Sequence, residues 1–433
     1  MKTYDEVAVR KNKQNIIWLS IAFSFIYFGI NTYKNFAVPL LGNLGAICLG
    51  TLYTVSALGN FIVPVILYLS GSVKGCLIVS SFVMVLYILQ YAYLIPWFAL
   101  VMCFVTGIFF SLSWSSESIL LAQNSVDENI SANSNMFYGI FMIGNVFGNT
   151  FGYVLLDLVG LDLSNRGDGW NGGISWLFIG LSVSALIGSF LMFFVRKTLP
   201  TSPAKKVEVV ATEPQAEKPA DSPEKKPWKM IWQKVVAVLR CLGQPRMLLL
   251  IMLFLNNGYA QLVVSSQITR QIVNVKMVGL AMALFAVVEV ITTAISWKLA
   301  DRVGNVVMLG IAVAAEILGA ASALYMNVHQ GGWIFLPTAF FAVMDTIYQT
   351  ECVSLVGKYF RSELEEASAT YRFIQGLGSS LSSFVTPLFV TGNANASTQA
   401  QLTCEMGVAV LLAVVSYLLV CLFVKIYGKK RPN

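Results

Sequence analysis

The sequence predicts an all-helical membrane protein with twelve transmembrane helices arranged as two six-helix halves. Three observations predict it. Hydrophobic residues make up 56% of the chain and charged residues only 12%, about half the charged share of a soluble domain. Apolar windows long enough to cross a bilayer, about 20 residues each, recur at 16–38, 46–69, 76–95, 97–121, 135–158, 174–195, 246–266, 277–299, 304–326, 333–356, 367–390 and 404–426. One long polar insert divides these windows six and six.

In chain order, residues 1–15 are polar and carry Arg10, Lys11 and Lys13. The apolar run after them is too long for a signal peptide and lacks a small-residue cleavage site, so it reads as the first span behind a cytoplasmic segment. Residues 16–195 form the first six-span half. Residues 196–245 form a cytoplasmic linker that begins RKTLPTSPAKKVEVVATEPQAEKPADSPEKKP, with six of the thirteen prolines. Such a composition buries too little apolar surface to order itself. The linker ends in WKMIWQKVVAVLRCL, where Trp228, Ile231, Trp232, Val235, Leu239 and Leu242 fall at helical spacing among basic residues. This is either a helix lying on the inner membrane surface or an amphipathic start to the seventh span. Residues 246–426 form the second half, and 427–433 a cytoplasmic tail.

With the N-terminus inside, all but four of the 29 Lys and Arg fall in or beside cytoplasmic segments, as the positive-inside rule requires. Lys34, Arg166, Arg270 and Lys276 lie towards the other face. Both termini are therefore placed in the cytoplasm, and the net charge of +7 reports topology, with no nucleic-acid partner implied. The seven cysteines suggest no disulfide framework. His329, the single histidine, reads as a solvated loop residue, and no metal, cofactor or catalytic cluster is expected, so an enzyme is not.

Charges inside membrane helices are costly and are functional hypotheses by default. Here they are Lys34, Glu117, Glu289, Glu316, Asp345, Glu351 and Arg372. Counting from span ends puts Glu289, Glu316 and Asp345 near the midplane and Glu117, Glu351 and Arg372 in the cytoplasmic third. Trp114-Ser-Ser-Glu117 and Tyr348-Gln-Thr-Glu351 share one pattern on spans four and ten, so the two glutamates are expected to face each other across a gate. Facing carboxylates must share a proton or cation. Arg372 either bridges them when the gate is closed or pairs with Glu351 or Glu365 inside the second half. Gly144, Gly148 and Gly152 recur every four residues on span five, a spacing that lets helices approach closely, and Asn145 and Asn149 lie beside that stripe. Asn395-Ala-Ser397 fits a glycosylation acceptor in an outer loop.

Six plus six spans about a cytoplasmic loop is the layout of the major facilitator superfamily. KLADRVGN, residues 298–305, resembles its loop signature, with Asp301, Arg302 and Gly304 in the matching places, and there Asp301 and Arg302 would join helix ends. GINTYKNFAVPLLGNLGAICLGTLY, SLSWSSESILLAQNS and MFYGIFMIGNVFGN in the first half, and MDTIYQTECVSLVGKYF and ATYRFIQGLGSSLSSFVTP in the second, are similar to segments of the UNC-93-like family.

The resemblance implies the major facilitator fold and a regulator or escort of a partner membrane protein such as a potassium channel. The alternative is a proton- or cation-coupled secondary transporter of a small solute. This sequence has Lys34, Glu117 and Glu351 where the family often has Gln, and charges along a path favour moving an ion or charged solute. In this fold spans one, four, seven and ten usually line the cavity. Asn31, Lys34, Asn256, Asn257, Tyr259, Glu289, Asp345 and Gln349 are accordingly its expected midplane residues, although Lys34 can also snorkel to the surface and Glu289 can instead bond, protonated, to a neighbouring helix. Glu316 is the weaker acid because span nine is usually peripheral.

Overall fold

A computed structural model describes residues 5–126, 129–159, 172–199, 227–360, 363–389 and 399–428. The first apolar window lies inside α1, Glu6–Leu41, which starts about ten residues earlier than hydropathy predicts. Local chemistry explains the extension: the Asp5 carboxylate accepts hydrogen bonds from the backbone of Val7 (2.9 Å) and Ala8 (3.2 Å), satisfying amides that the first turn leaves unpaired. Asn12 and Leu199 then exchange two hydrogen bonds of 2.9 Å. Asn15 binds the backbone of Arg196 in the same two-way fashion. These amides tie the start of α1 to the chain leaving the first half.

The second window is broken. It comprises α2, Asn43–Gly59, and α3, Val63–Ser70, which meet at 66°. Pro64 is confined to the first turn of α3, where its missing N–H is harmless, and Asn60 donates its side-chain amide to the carbonyl of Ser56 (3.1 Å) at the break. The other elements are α4 Val73–Leu89, α5 Pro96–Gln123, α6 Ile130–Leu158, α7 Gly172–Leu191, α8 Pro227–Leu242 and α9 Pro245–Val263. The last continues through a π-helical turn, Val264–Ile268, into α10, Thr269–Gln271. The remainder are α11 Lys276–Val303, α12 Asn305–His329, α13 Phe335–Tyr359, α14 Leu364–Phe389 and α15 Gln399–Tyr427.

Among the described residues, nine helices are long and apolar enough to span a membrane, and α2 with α3 makes a tenth, broken span. Helices α13 and α14 occupy the remaining two windows; Asp345, Glu351, Lys358, Glu366 and Arg372 dilute their hydropathy. Among the described residues the bundle is all-helical, and its nine spans, the broken pair and α13 and α14 fill the twelve windows that hydropathy marks. In the first half α1 packs on α6 and α7, α2 on α5, and α4 on α5 and α7. In the second, α9 packs on α14 and α15, α11 on α13, and α12 on α13 and α15.

The halves meet along two seams, α2 against α14 and α6 against α11. Small residues let the backbones approach there. A Cβ on Gly50 would lie 2.8 Å from the Phe384 ring, one on Gly376 2.8 Å from Ala57, and one on Gly279 2.5 Å from the Asn149 carbonyl. Thr54 and Ser380 hydroxyls bond across the first seam at 2.5 Å.

Helix α8 is separate from α9, with the break at Gly243–Gln244 and Pro245 opening the next helix. It therefore is not the start of the seventh span. It rests on α14 and touches α3, so it lies against both halves at the end of the bundle that carries the linker, called here the linker face. Trp232 and Leu239 stay exposed on it, while Cys241 is buried against α14, where burial pushes its thiol pKa up and keeps it protonated.

A central cavity open at the linker face

Between the halves lies a cavity of about 3140 Å³. Its walls run from Asn31, Lys34, Glu289 and Asp345 at mid-depth to Lys74, Arg196, Lys197 and Gln233 at the linker face. No wall residue comes from the opposite ends of α1, α4 or α5, so the cavity opens at one end.

Helices α1, α11 and α13 position the mid-depth charges. Lys34 points into the cavity and does not snorkel to the outer surface; its Nζ donates to the Tyr53 hydroxyl at 3.3 Å. Opposite it, Glu289 and Asp345 line the cavity as neighbouring carboxyl groups, and Lys34 is the nearby cation. Two carboxylates that close cannot both be ionised without a compensating charge, so the pair is built to hold a proton or a cation. Gln261 Nε2 approaches Asp345 Oδ2 at 3.5 Å, and Gln349 lies within reach of the same carboxylate. Asn31 donates to Asn145 Oδ1 at 2.6 Å and Asn35 to Asn149 Oδ1 at 2.9 Å, joining α1 to α6 beside the cavity. The glycine stripe sits at the same crossing: a Cβ on Gly148 would lie 2.6 Å from the Phe28 carbonyl, one on Gly152 2.7 Å from the Phe36 ring, and one on Gly144 would meet the Ser24 carbonyl.

Nearer the linker face, Glu117 and Glu351 both line the cavity, each with its own hydrogen-bond partner. Ser118 donates to Glu117 Oε2 (3.1 Å), while its Oε1 is buried without a donor. Glu351 instead accepts a short hydrogen bond from Asn305 at the start of α12. Arg372 pairs with neither glutamate: Nη1 donates to Gln375 (3.0 Å) and Cζ lies 5.1 Å from the Tyr371 ring. Similar depth in the two halves thus does not give similar surroundings, because α12 supplies a partner to Glu351 that Glu117 lacks.

Asn256, Asn257 and Tyr259 are not cavity residues. All three are at most 1% exposed and face other helices. Asn256 donates to Glu316 Oε2 (3.0 Å), which also accepts from Tyr348 (2.8 Å), so Glu316 is fully enclosed between α9, α12 and α13. Asn257 donates to Tyr371 (3.0 Å) and the Tyr259 hydroxyl reaches the Glu405 carbonyl (3.5 Å). The cavity-facing side of α9 is the one bearing Gln261 and Ser265, which residue type alone did not reveal. Removing a donor from a buried acid costs about 1–3 kcal/mol or more. Tyr348→Phe is therefore expected to lower the melting temperature, and Glu316→Gln in that background to recover part of the loss, read by fluorescence-detected thermal unfolding.

In the loop motif, Arg302 is exposed and has no ion-pair partner among the described residues. The Asp301 side chain lies outside the described residues, as do the Glu365 side chain, Arg166 and Asn395. Gly304 makes the α11–α12 turn at φ +80°, a left-handed conformation that favours glycine.

At the far face the halves are in contact. Lys276 on α11 bonds Asp157 on α6 at 2.6 Å, and Arg270, fully buried in α10, reaches Asn43 at the start of α2 (3.4 Å). The sequence placed both cations at this end. It carried no signal for the partners, which depend on how the two halves meet.

Fold and cavity together define a polytopic membrane protein of two helical halves enclosing a polar, one-ended central chamber. The sequence profile of the Major Facilitator Superfamily matches residues 17–387, and the chain belongs to that superfamily. Among its relatives, UNC93-like protein MFSD11 of Xenopus tropicalis is 27% identical over 200 residues, 42% of this chain and 41% of that protein. The match thus spans less than half the length of that relative. UNC93-like protein 3 of Arabidopsis thaliana is 22% identical over 409 residues, 85% of this chain and 79% of the relative. Of solved structures, the partially occluded inward-open conformation of the xylose transporter XylE from E. coli superposes with a TM-score of 0.64 at 14% identity, covering 98% of this chain and all of that one, a likeness of fold.

Proposed function

We propose that this protein is a secondary transporter that moves a small solute by alternating access, coupled to protons through Glu289 and Asp345, with the linker face and both termini in the cytoplasm. The observation that carries this reading is the chamber itself: it is open at one end, closed at the other, and is lined at mid-depth by two carboxyl groups and a lysine. A protein that only escorted a partner would have no use for such a site. Closing the linker end would bring α5 and α6 towards α13 and α14, with Arg372, Tyr138, Glu117 and Glu351 as the candidate gate. Opening the far end would separate Lys276 from Asp157.

The test uses the full chain in proteoliposomes carrying a pH-sensitive dye, challenged in turn with amino acids, nucleosides and sugars. At least one class is expected to evoke proton movement absent from protein-free vesicles. A cysteine placed at Ser265 in a cysteine-free background should react from the linker side at rest and from both sides during turnover. Silence with every class, together with one-sided labelling throughout, would overturn transport.

The second reading, regulation or escort of a partner membrane protein such as a channel, is favoured by the similarity to UNC93-like proteins across both halves. Affinity purification from native membrane tests it: a channel subunit co-purifying in stoichiometric amount supports it, and its absence counts against it.

A further inference from the structure

The two walls of the chamber carry opposite charge at the same depth. On the first half, Lys34 bonds only the Tyr53 hydroxyl, with Nζ 6.0 Å from the Tyr53 ring centroid, and has no ion-pair partner among the described residues. Its ammonium group retains donors aimed into the chamber. On the second half stand Glu289 and Asp345, and Asp345 Oδ1 is buried without a hydrogen-bond donor. Beside Lys34, towards the linker face, the half-buried Trp114 heads an aromatic cluster on the chamber wall, backed by the buried rings of Tyr27, Phe110 and Phe141. Trp114 lies 5.1 Å from Tyr27 and 5.7 Å from Phe141, ring centre to ring centre.

These features discriminate between classes of solute. An inorganic cation would meet the carboxylates but be repelled by Lys34. An anion would meet Lys34 but be repelled by the carboxylate pair. A neutral sugar would leave Lys34 and the ionised carboxylate across from it without a direct charged partner. Resting on the transport reading above, we infer that the chamber binds a small zwitterion, its carboxylate on Lys34 and Tyr53, its ammonium on Glu289 and Asp345, and its apolar part on the aromatic cluster. Each end then gains charge-assisted hydrogen bonds, and one molecule tethers both halves. A solute that contacts both walls binds more tightly when they approach, which is how binding would favour closure.

The probes are L-phenylalanine, phenethylamine and 3-phenylpropanoate, which share an aromatic skeleton and carry both charges, the ammonium alone and the carboxylate alone. Binding to the full chain in lipid nanodiscs is measured by titration calorimetry. L-phenylalanine is expected to bind at least about tenfold more tightly than either analogue, the discrimination that one charge-assisted contact provides. Lys34→Gln should reduce L-phenylalanine to the affinity of phenethylamine while leaving phenethylamine no weaker, and Lys34→Arg, which keeps the charge, should preserve the preference. Equal affinities for the three probes, no binding of any, or a preference unchanged in Lys34→Gln would overturn the inference. Because no flux enters the measurement, the two ideas fail separately. Selective binding without proton movement sinks transport alone; proton movement with sugars or nucleosides and no zwitterion preference sinks the zwitterion alone.

Discussion

Neutralising the mid-depth acids, Glu289→Gln with Asp345→Asn, is expected to abolish accumulation of solute driven by a pH gradient while solute-for-solute exchange persists at raised solute concentration. The two carboxyl groups are neighbours on one cavity wall and share it with one lysine opposite, so a proton bound there and a solute bound there act on the same few atoms. Coupling between two ligands is typically about 1–3 kcal/mol, or about 5–150-fold in affinity, and the double variant removes the proton's half of that coupling. Driven uptake should therefore fall by about tenfold or more, and solute affinity should lose its dependence on pH. The amides keep the shape of the acids but give an ammonium group no counter-charge, so exchange continues once the solute concentration is raised to offset the weaker binding. Counterflow measured beside gradient-driven uptake in the same vesicles separates the outcomes. Uptake and counterflow both unchanged would show that these acids carry no proton, and loss of both with a lowered melting temperature would show a structural role.

Gly258→Leu should yield almost no folded protein. At this position α9 crosses α14 so closely that a Cβ would collide with the Gln375 carbonyl and lie 3.0 Å from the Ser379 amide. The obstacle is main chain, which cannot rotate away as a side chain can. Gly378, on the other helix, faces the Leu255 carbonyl in the same crossing, and the Ser379 hydroxyl bonds the Gly258 carbonyl at 3.0 Å. Overpacking an ordinary core site costs about 1–3 kcal/mol; here whole helices must separate, and the expected loss exceeds that range. Gly407→Ala is the control, since a Cβ there meets nothing within 4 Å. It should be neutral or slightly stabilising, because alanine is favoured over glycine in a helix by about 1 kcal/mol. Size-exclusion profiles of tagged variants in mild detergent read both: a monodisperse Gly258→Leu peak at wild-type yield would contradict the crossing.

Much of the architecture was legible because the bilayer imposes a length on every span, and that length is written locally in hydropathy. Each of the apolar windows coincides with a helix or, for the second, with a helix pair. What hydropathy cannot register is polar capping, so the extension of α1 through Asp5, Asn12 and Asn15 went unforeseen. The break between α2 and α3 carried a signal in Asn60 and Pro64, but an apolar run on both sides concealed it.

The candidate residues were legible by kind and less so by place. Lys34, Glu289, Asp345 and Gln349 come together at one chamber, as their depth along their spans suggested. Asn256, Asn257 and Tyr259 have the right depth but the wrong azimuth: they serve Glu316, Tyr371 and the α15 backbone, while Gln261 and Ser265 take the chamber side of the same helix. Trp114 and Tyr348, alike in the internal repeat, also diverge. One joins the aromatic cluster and the other donates to a buried acid.

By itself the sequence determined that this is a twelve-span helical protein in two halves, with costly charges held at two depths, because span length and the cost of burying charge are properties of each segment in its own bilayer. Only the tertiary structure decided which charges share a chamber, which face enclosed packing, and which end stands open. Those depend on how each helix is rotated about its axis, and rotation is set by the close backbone crossings at Gly258, Gly279 and Gly376, between residues far apart in the chain.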